Sequence, residues 1–260
     1  MKKIVMGILL FTIALTFFSC DNGLFGTNLF AKLDKYKKPD INNATCRDLI
    51  KAGGDPRFAG SLNDGEVEKV NNKLKETYSD TSASDKDRAE AALLAGDVQF
   101  GAHGVNDSLK KINDIFLNVI SDEPDDADLD NLLETFFDDE SKETITEKID
   151  ALLESANAYY AYGEIVDDVN VDENPGDTAI KAVMSCMVAE IMELNPSLTS
   201  AELAGYIIDE NVEEGLNTPT YTEGASFKQN LTEALGNDDK ARNIVKVVQA
   251  GFDISKIDLD

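Results

Sequence analysis

The sequence predicts an all-α fold, built as an irregular stack of helical hairpins or as a helical bundle of about eight to nine helices. From about residue 43 onward, apolar residues recur at spacings of three and four, the period of an α-helix. No segment shows the sustained apolar–polar alternation of a half-buried strand. Of the 260 residues, 42% are hydrophobic, which is enough to bury one or two cores.

The first half of the helical region divides at turn residues and helix caps. An apolar stripe over 67–78 predicts one helix. Ser84 is a typical N-cap for the next helix, which is rich in alanine. A third stripe runs over 109–120 and ends near Pro124, and a short helix with paired leucines and phenylalanines follows over 129–137.

The second half contains the most apolar segment. A capping box at 144–147 predicts the start of a long helix. Residues 177–194 are apolar on nearly all sides, so we expect a central helix buried all round. A second capping box at 199–202, a cap at Ser226 and a last stripe over 244–252 predict the remaining helices.

Two alanine-rich segments resemble a known repeat. Residues 91–96 and 156–163 are similar to first-helix pieces of tetratricopeptide repeats. The resemblance covers about 80–180 and lacks the full motif, with its Trp, Leu-Gly, Tyr and closing Pro. If the repeats are present, they imply a concave helical surface that receives a protein or peptide.

The N-terminus has the order of a secretory signal. Lys2 and Lys3 come first, an apolar run follows, and the small residue Ser19 precedes Cys20. The segment resembles the signal of bacterial lipoproteins, with a relaxed, spirochaete-like lipobox because Phe17 stands where Leu, Val or Ile is usual. This resemblance implies cleavage before Cys20 and a diacylglycerol and acyl (palmitate-type) lipid on that residue.

The predicted organisation follows from this signal. Residues 1–19 are a cleaved signal peptide, 20–42 a lipidated flexible tether, and 43–260 an acidic all-α domain. The protein is therefore expected in the bacterial cell envelope, on the periplasmic side or at the outer membrane. Covalent lipid on Cys20 is the only cofactor expected.

The net charge of −26 excludes nucleic acid as a partner, because affinity for phosphates comes from Lys and Arg. The acidic residues form either a solvated surface or a surface that binds cations or a basic protein. Cys46 and Cys186 are the other cysteines, and outside the cytoplasm they form either a disulfide or two buried thiols.

Catalytic motifs are missing from the sequence. The only histidine, His103, lies in a glycine-rich helix end, which favours a structural role over a zinc site or a catalytic triad. No phosphate-binding glycine loop is present. The sequence therefore predicts a protein that is not an enzyme.

Asp168, Asn170 and Asp172 match the first ligand positions of an EF-hand loop. The pattern then fails, with Glu173 where glycine is required and Ala179 where the bidentate glutamate belongs. No EF-hand is expected, and the three residues remain weak candidates for a looser metal site.

Tyr159, Tyr160 and Tyr162 form the one aromatic cluster, with core packing and partner binding as the two interpretations. Taken together, the sequence predicts a non-catalytic, lipid-anchored binding or scaffolding protein that presents an acidic helical surface to an envelope protein. The alternative is a transporter-associated lipoprotein that binds a small ligand or a cation such as Ca²⁺.

Overall fold

The computed structural model describes residues 36–112, 135–138, 140–209, 216–217 and 238–251. Over these ranges the secondary structure is helical with connecting turns and no strand, which confirms the all-α class. The helices with defined limits are α1 (Cys46–Gly53), α2 (Asp64–Tyr78), α3 (Asp85–Ala102), α4 (Lys142–Ile165), α5 (Pro175–Leu194), α6 (Ser200–Ile208) and α7 (Asp238–Gly251). Short 3-10 helices lie at Ala59–Ser61, between α1 and α2, and at Val166–Asp168, directly after α4.

Several predicted features lie outside the described residues. They are the signal peptide at 1–19, the lipid site at Cys20, most of the tether, the segment 113–134 and the helix predicted from Ser226. Within the part of the chain that is described, no helix combines the length and the hydrophobicity that a membrane crossing requires.

Side-chain caps fix most of the helix starts. Thr45, Asn63 and Thr199 each form a full capping box with the third helical residue, at the starts of α1, α2 and α6. Ser84 caps α3 as the sequence predicts. The start of α4 was predicted at the 144–147 box, but Ser141 is the N-cap, because its hydroxyl accepts from the amide of Thr144.

Helices α3 and α4 form the antiparallel pair at the middle of the fold. The start of α3 meets the end of α4, where Arg88 lies 3.3 Å from Glu164. At the other end of the pair, Gly104, which follows α3, lies close to Lys148 near the start of α4. Helices α1 and α2 pack on α3, while α5, α6 and α7 pack on α4, so α4 contacts helices on most of its circumference.

The helix predicted to be buried near 177–194 is α5. Its residues from Thr178 to Ser185 are all buried, including Lys181, and burial continues through Ile191 with one interruption. The end of α7 packs against the start of α5, because a Cβ on Gly251 would lie 2.4 Å from the carbonyl oxygen of Pro175.

The packed domain begins earlier than the predicted boundary at residue 43. Tyr36 forms a hydrogen bond of 3.0 Å with Ser61, and Lys38 pairs with Glu66 at 2.7 Å. Ile41 is 3% exposed and belongs to the core. Residues 36–42, assigned to the tether from their turn-like composition, are therefore part of the domain.

One lysine fastens this segment to α2. The Nζ atom of Lys73 donates to the carbonyl oxygens of Ile41 and Ala44 at 2.7 Å each and to that of Asn42 at 3.2 Å. A charged donor shared by three carbonyl groups holds the segment on the helix surface.

Replacing Lys73 by Met should remove these hydrogen bonds and lower the free energy of unfolding by about 1–3 kcal/mol. Hydrogen exchange of the amides at 40–45 should become faster. Lys75→Met, at an exposed position on the same helix, is the matched control. Equal behaviour of the two variants in urea unfolding and exchange would contradict the account.

Gly163 marks the closest approach of α4 and α7. A Cβ there would overlap the backbone carbonyl of Asn243.

Gly163→Ala should therefore destabilise the domain by about 1–3 kcal/mol, although alanine at an unhindered helix position is more stable than glycine by about 1 kcal/mol. Gly60→Ala meets no atom within 4 Å and should be nearly neutral. Urea unfolding measures whether each variant is more or less stable than the wild-type protein. A Gly163→Ala variant that is more stable would contradict the close packing of α4 and α7.

Candidate functional site

The outward face of α4 carries a line of exposed carboxylates, here named the acidic ridge: Glu143, Glu147, Asp150 and Glu154. Their spacings of four, three and four residues place them on one side of the helix. At 1.5 Å per residue the ridge is about 17 Å long. Asn157 continues the same face and is also exposed.

Most of the ridge has no cationic partner. Among the described residues, no Lys, Arg or His nitrogen lies within 4.0 Å of Glu143, Glu147 or Glu154, and Asp150 accepts a hydrogen bond of 2.5 Å from Ser200. Like charges at these spacings destabilise a helix by a few tenths of a kcal/mol per pair. The arrangement therefore has a local cost, which no cation among the described residues offsets at Glu147 or Glu154, whereas Glu143 lies in the first turn of α4, where the helix dipole favours an acid.

Tyr78 borders the ridge. The side chain is 7% exposed, and burial together with the nearby charge of Glu154 raises its pKa to about 12. Tyr78 is therefore a core side chain close to Glu154 and adds little area to the surface of the ridge.

A second group of charges, the Lys181 cluster, lies between α3, α4 and α5. Lys181 Nζ is 2.7 Å from Asp97 and 2.7 Å from Asp177, and it lies 5.7 Å from the ring centroid of Phe100. Burial lowers the pKa of Lys181, but the two carboxylates outweigh this effect and the net shift is upward. The lysine is therefore held as a buried cation.

Three polar atoms of this cluster have no hydrogen-bond partner in the described part of the chain: Tyr159 Oη, Asp172 Oδ2 and Asp177 Oδ1. Burial raises the pKa of Tyr159, and the charges of Asp97, Asp177 and Asp172 add to it. Burial also raises the pKa values of Asp172 and Asp177. Hydrogen bonds from Thr178 and from the amide of Asn174 oppose the shift at Asp172, and Lys181 opposes it at Asp177. The cluster thus holds more carboxylate than its one lysine neutralises.

The predicted tyrosine cluster is buried. Tyr159 is 1% exposed, Tyr160 9% and Tyr162 2%. Tyr159 packs edge-on against Phe100 with centroids 6.3 Å apart, and Lys240 lies over the ring of Tyr160. Because α4 is covered on most sides, even adjacent tyrosines face the interior, and none of the three is presented to a partner.

The acidic loop before α5 does not gather its three candidate ligands. Asp168 and Asn170 are exposed, whereas Asp172 turns inward, where Oδ1 accepts from the amide of Asn174 at 2.9 Å. Within the described ranges, no group of three or more His, Cys, Asp or Glu side chains is placed to hold a metal ion. The structure instead brings Asp172 close to Tyr159.

The two cysteines are free thiols in the structure rather than a disulfide. Cys46, at the start of α1, lies near Thr77, while Cys186 is buried in α5 near Tyr160. Helices α1 and α5 pack on opposite members of the α3–α4 pair. Burial raises the pKa of both thiols, that of Cys186 to about 12.

His103 ends α3, where its amide donates to the carbonyl of Gln99 at 3.2 Å. Close by, Lys148 donates to Ser108 at 2.7 Å and also pairs with Glu140. A serine beside a lysine can form a nucleophile and base. Here Lys148 is engaged in the ion pair with Glu140, and Ser108 is fully buried, so the geometry favours a structural role.

The ridge and Lys181 are not among the site residues predicted from the sequence. The 4-3-4 spacing of acids opposite the apolar stripe of α4 is visible in the sequence and could have identified the ridge. A lysine within an apolar helix requires a buried carboxylate partner. The sequence does not show that Asp97, 84 residues away, supplies it.

Comparison of the chain with protein-family models, with curated proteins and with solved structures finds no match.

Lys181→Met should lower the free energy of unfolding at pH 7 by about 1–3 kcal/mol, because Asp97 and Asp177 lose their shared cation. The loss should be smaller at pH 4.5, since the raised pKa of Asp177 allows it to take up a proton. Lys86→Met removes an exposed lysine on α3 and is the control. Urea unfolding at both pH values measures the effect, and the same loss in both variants would contradict the role of the cluster.

Proposed function

We propose that this protein is a lipid-anchored, non-catalytic binding or scaffolding protein of the bacterial cell envelope that presents an acidic helical surface to a basic partner protein. The observation that carries the proposal is the acidic ridge, with three of its four carboxylates unpaired within the described structure.

The position of the ridge supports a docking role. Helix α4 is packed by α3, α5, α6 and α7, so the ridge is held on the most supported element of the domain. A preorganised surface loses little conformational entropy on binding. The complementary partner is a protein surface or helix with Lys or Arg side chains along about 17 Å, which electrostatic attraction would bring to the ridge quickly.

The anchor follows from the sequence and the start of the domain. Fifteen residues separate Cys20 from Tyr36, the first residue that the structure describes. Fully extended, this length spans about 50 Å. A lipid on Cys20 would therefore keep the ridge close to a membrane, where envelope proteins are available as partners.

The partner surface is tested by photo-crosslinking in intact cells. A photo-reactive amino acid replaces Asn157, which leaves all ridge charges in place, and Asn72, exposed on α2, is the control position. Position 157 should give an adduct of defined mass with an envelope protein, and position 72 should not.

Charge variants show whether the ridge carries the interaction. The pair Glu147→Lys and Glu154→Lys should abolish the adduct. The pair Glu68→Lys and Glu76→Lys, exposed on α2 with the same change in net charge, should retain it. Equal loss in both pairs, or no adduct from position 157, would contradict the proposal.

The anchor is tested separately. The wild-type protein should incorporate labelled palmitate and sediment with membranes, and Cys20→Ala should do neither, because the acylated residue is lost. Membrane association that persists in Cys20→Ala would contradict lipid anchoring.

A second function has one specific observation in its favour. The loop before α5 buries Asp172 Oδ2 without a hydrogen-bond donor among the described residues, as expected of an atom that contacts a small cationic ligand. If this loop binds Ca²⁺, the Tm of the wild-type protein should rise with millimolar CaCl₂ and that of Asp172→Asn should not. An identical response of the two proteins would exclude Asp172 as a ligand.

A further inference from the structure

We propose that α5 is a pH-sensitive element: its packing against α4 and α7 is strongest while the carboxyl group of Glu190 carries a proton, and it loosens as the pH rises. The inference is independent of the partner proposal. It rests on a carboxylate oxygen of Glu190 that is buried in the core without a hydrogen-bond donor among the described residues.

Glu190 is the residue whose protonation state controls the packing of α5 in this proposal. The residue is 3% exposed, and its Oε1 atom is buried with no partner in the described part of the chain. The titratable and charged groups that face it are Cys186 and Glu193 on α5, Tyr160 on α4 and Lys240 on α7. Lys240 is paired with Glu193, so its ammonium is engaged beside Glu190.

An ionised carboxylate in this position is costly, because burial removes its hydration and no donor replaces the water. Protonation removes the charge. Burial, with a smaller contribution from the charge of Glu193, raises the pKa of Glu190 to about 8. The protonated form is therefore the one that fits the folded core at neutral pH.

The direction of the pH effect follows from the raised pKa of Glu190. The contribution of Glu190 is fully present below about 4.5, its ordinary pKa, and is lost as the pH rises toward about 8. Within that window, one linked proton changes the equilibrium constant for opening of α5 by up to about tenfold per pH unit.

Cys186 reports the opening. It is buried one turn before Glu190 on the same helix, so an alkylating reagent reaches it only when α5 loosens. Alkylation of the Cys186 peptide of the intact mature protein is followed by mass spectrometry. Dividing by the rate in denaturant at the same pH removes the intrinsic reactivity of the thiol and gives a protection factor.

The wild-type protection factor should fall at least tenfold between pH 6 and pH 8. Glu190→Gln should retain its protection across this range. Glu193→Gln, the half-exposed control on the same helix, should keep the fall with its midpoint at slightly lower pH, because a negative charge near Glu190 is lost. Wild-type protection that does not change, or a parallel fall in Glu190→Gln, would overturn the proposal.

A second measurement covers the case in which Glu190→Gln does not fold. Hydrogen exchange of the α5 amides in the wild-type protein, corrected for intrinsic exchange, should lose protection over the same pH range, while the α3 amides stay protected. Equal loss in α3 and α5 would show general unfolding and would also overturn the proposal.

Discussion

The fold depends on the packing of α4, which contacts helices on most of its circumference and meets water along one narrow face. Every side chain on the covered sides must be apolar, small or paired, which is why Tyr159 and Tyr162 are buried and why a Cβ on Gly96 would lie 2.6 Å from the Tyr159 ring. Charge on α4 is therefore concentrated on the remaining face. The acidic ridge is a direct consequence of this constraint.

The same constraint explains where the few basic residues are used. The chain has 24 Lys and Arg against 50 Asp and Glu. Lys181 and Lys148 pair with carboxylates in the interior, and Lys73 holds backbone carbonyl groups at the N-terminal segment. Cations placed inside do not neutralise the surface, so exposed acids such as those of the ridge have few partners among the described residues. An acidic surface of this kind favours basic partners and disfavours phosphate polymers.

Local features of the fold could be predicted from the sequence, and contacts between distant segments could not. Helical periodicity and the caps at Ser84 and Thr199 depend on neighbouring residues, and they agree with the structure. The docking of Ile41 depends on Lys73, which is 32 residues away, so composition alone assigned that segment to a tether. The inward turn of Asp172 likewise depends on its packing against α4. For the candidate site, the residue types were visible in the sequence, but which of them lacked partners required the structure.

The central claim is that the ridge on α4 is the surface that meets another protein. Zero-length carbodiimide crosslinking in intact cells tests it most directly, because it joins carboxylates only to lysines in contact with them. The account predicts inter-protein links from Glu147 and Glu154 to lysines of one envelope protein. Inter-protein links confined to carboxylates of α2 or α3, such as Glu76 or Glu90, would contradict it.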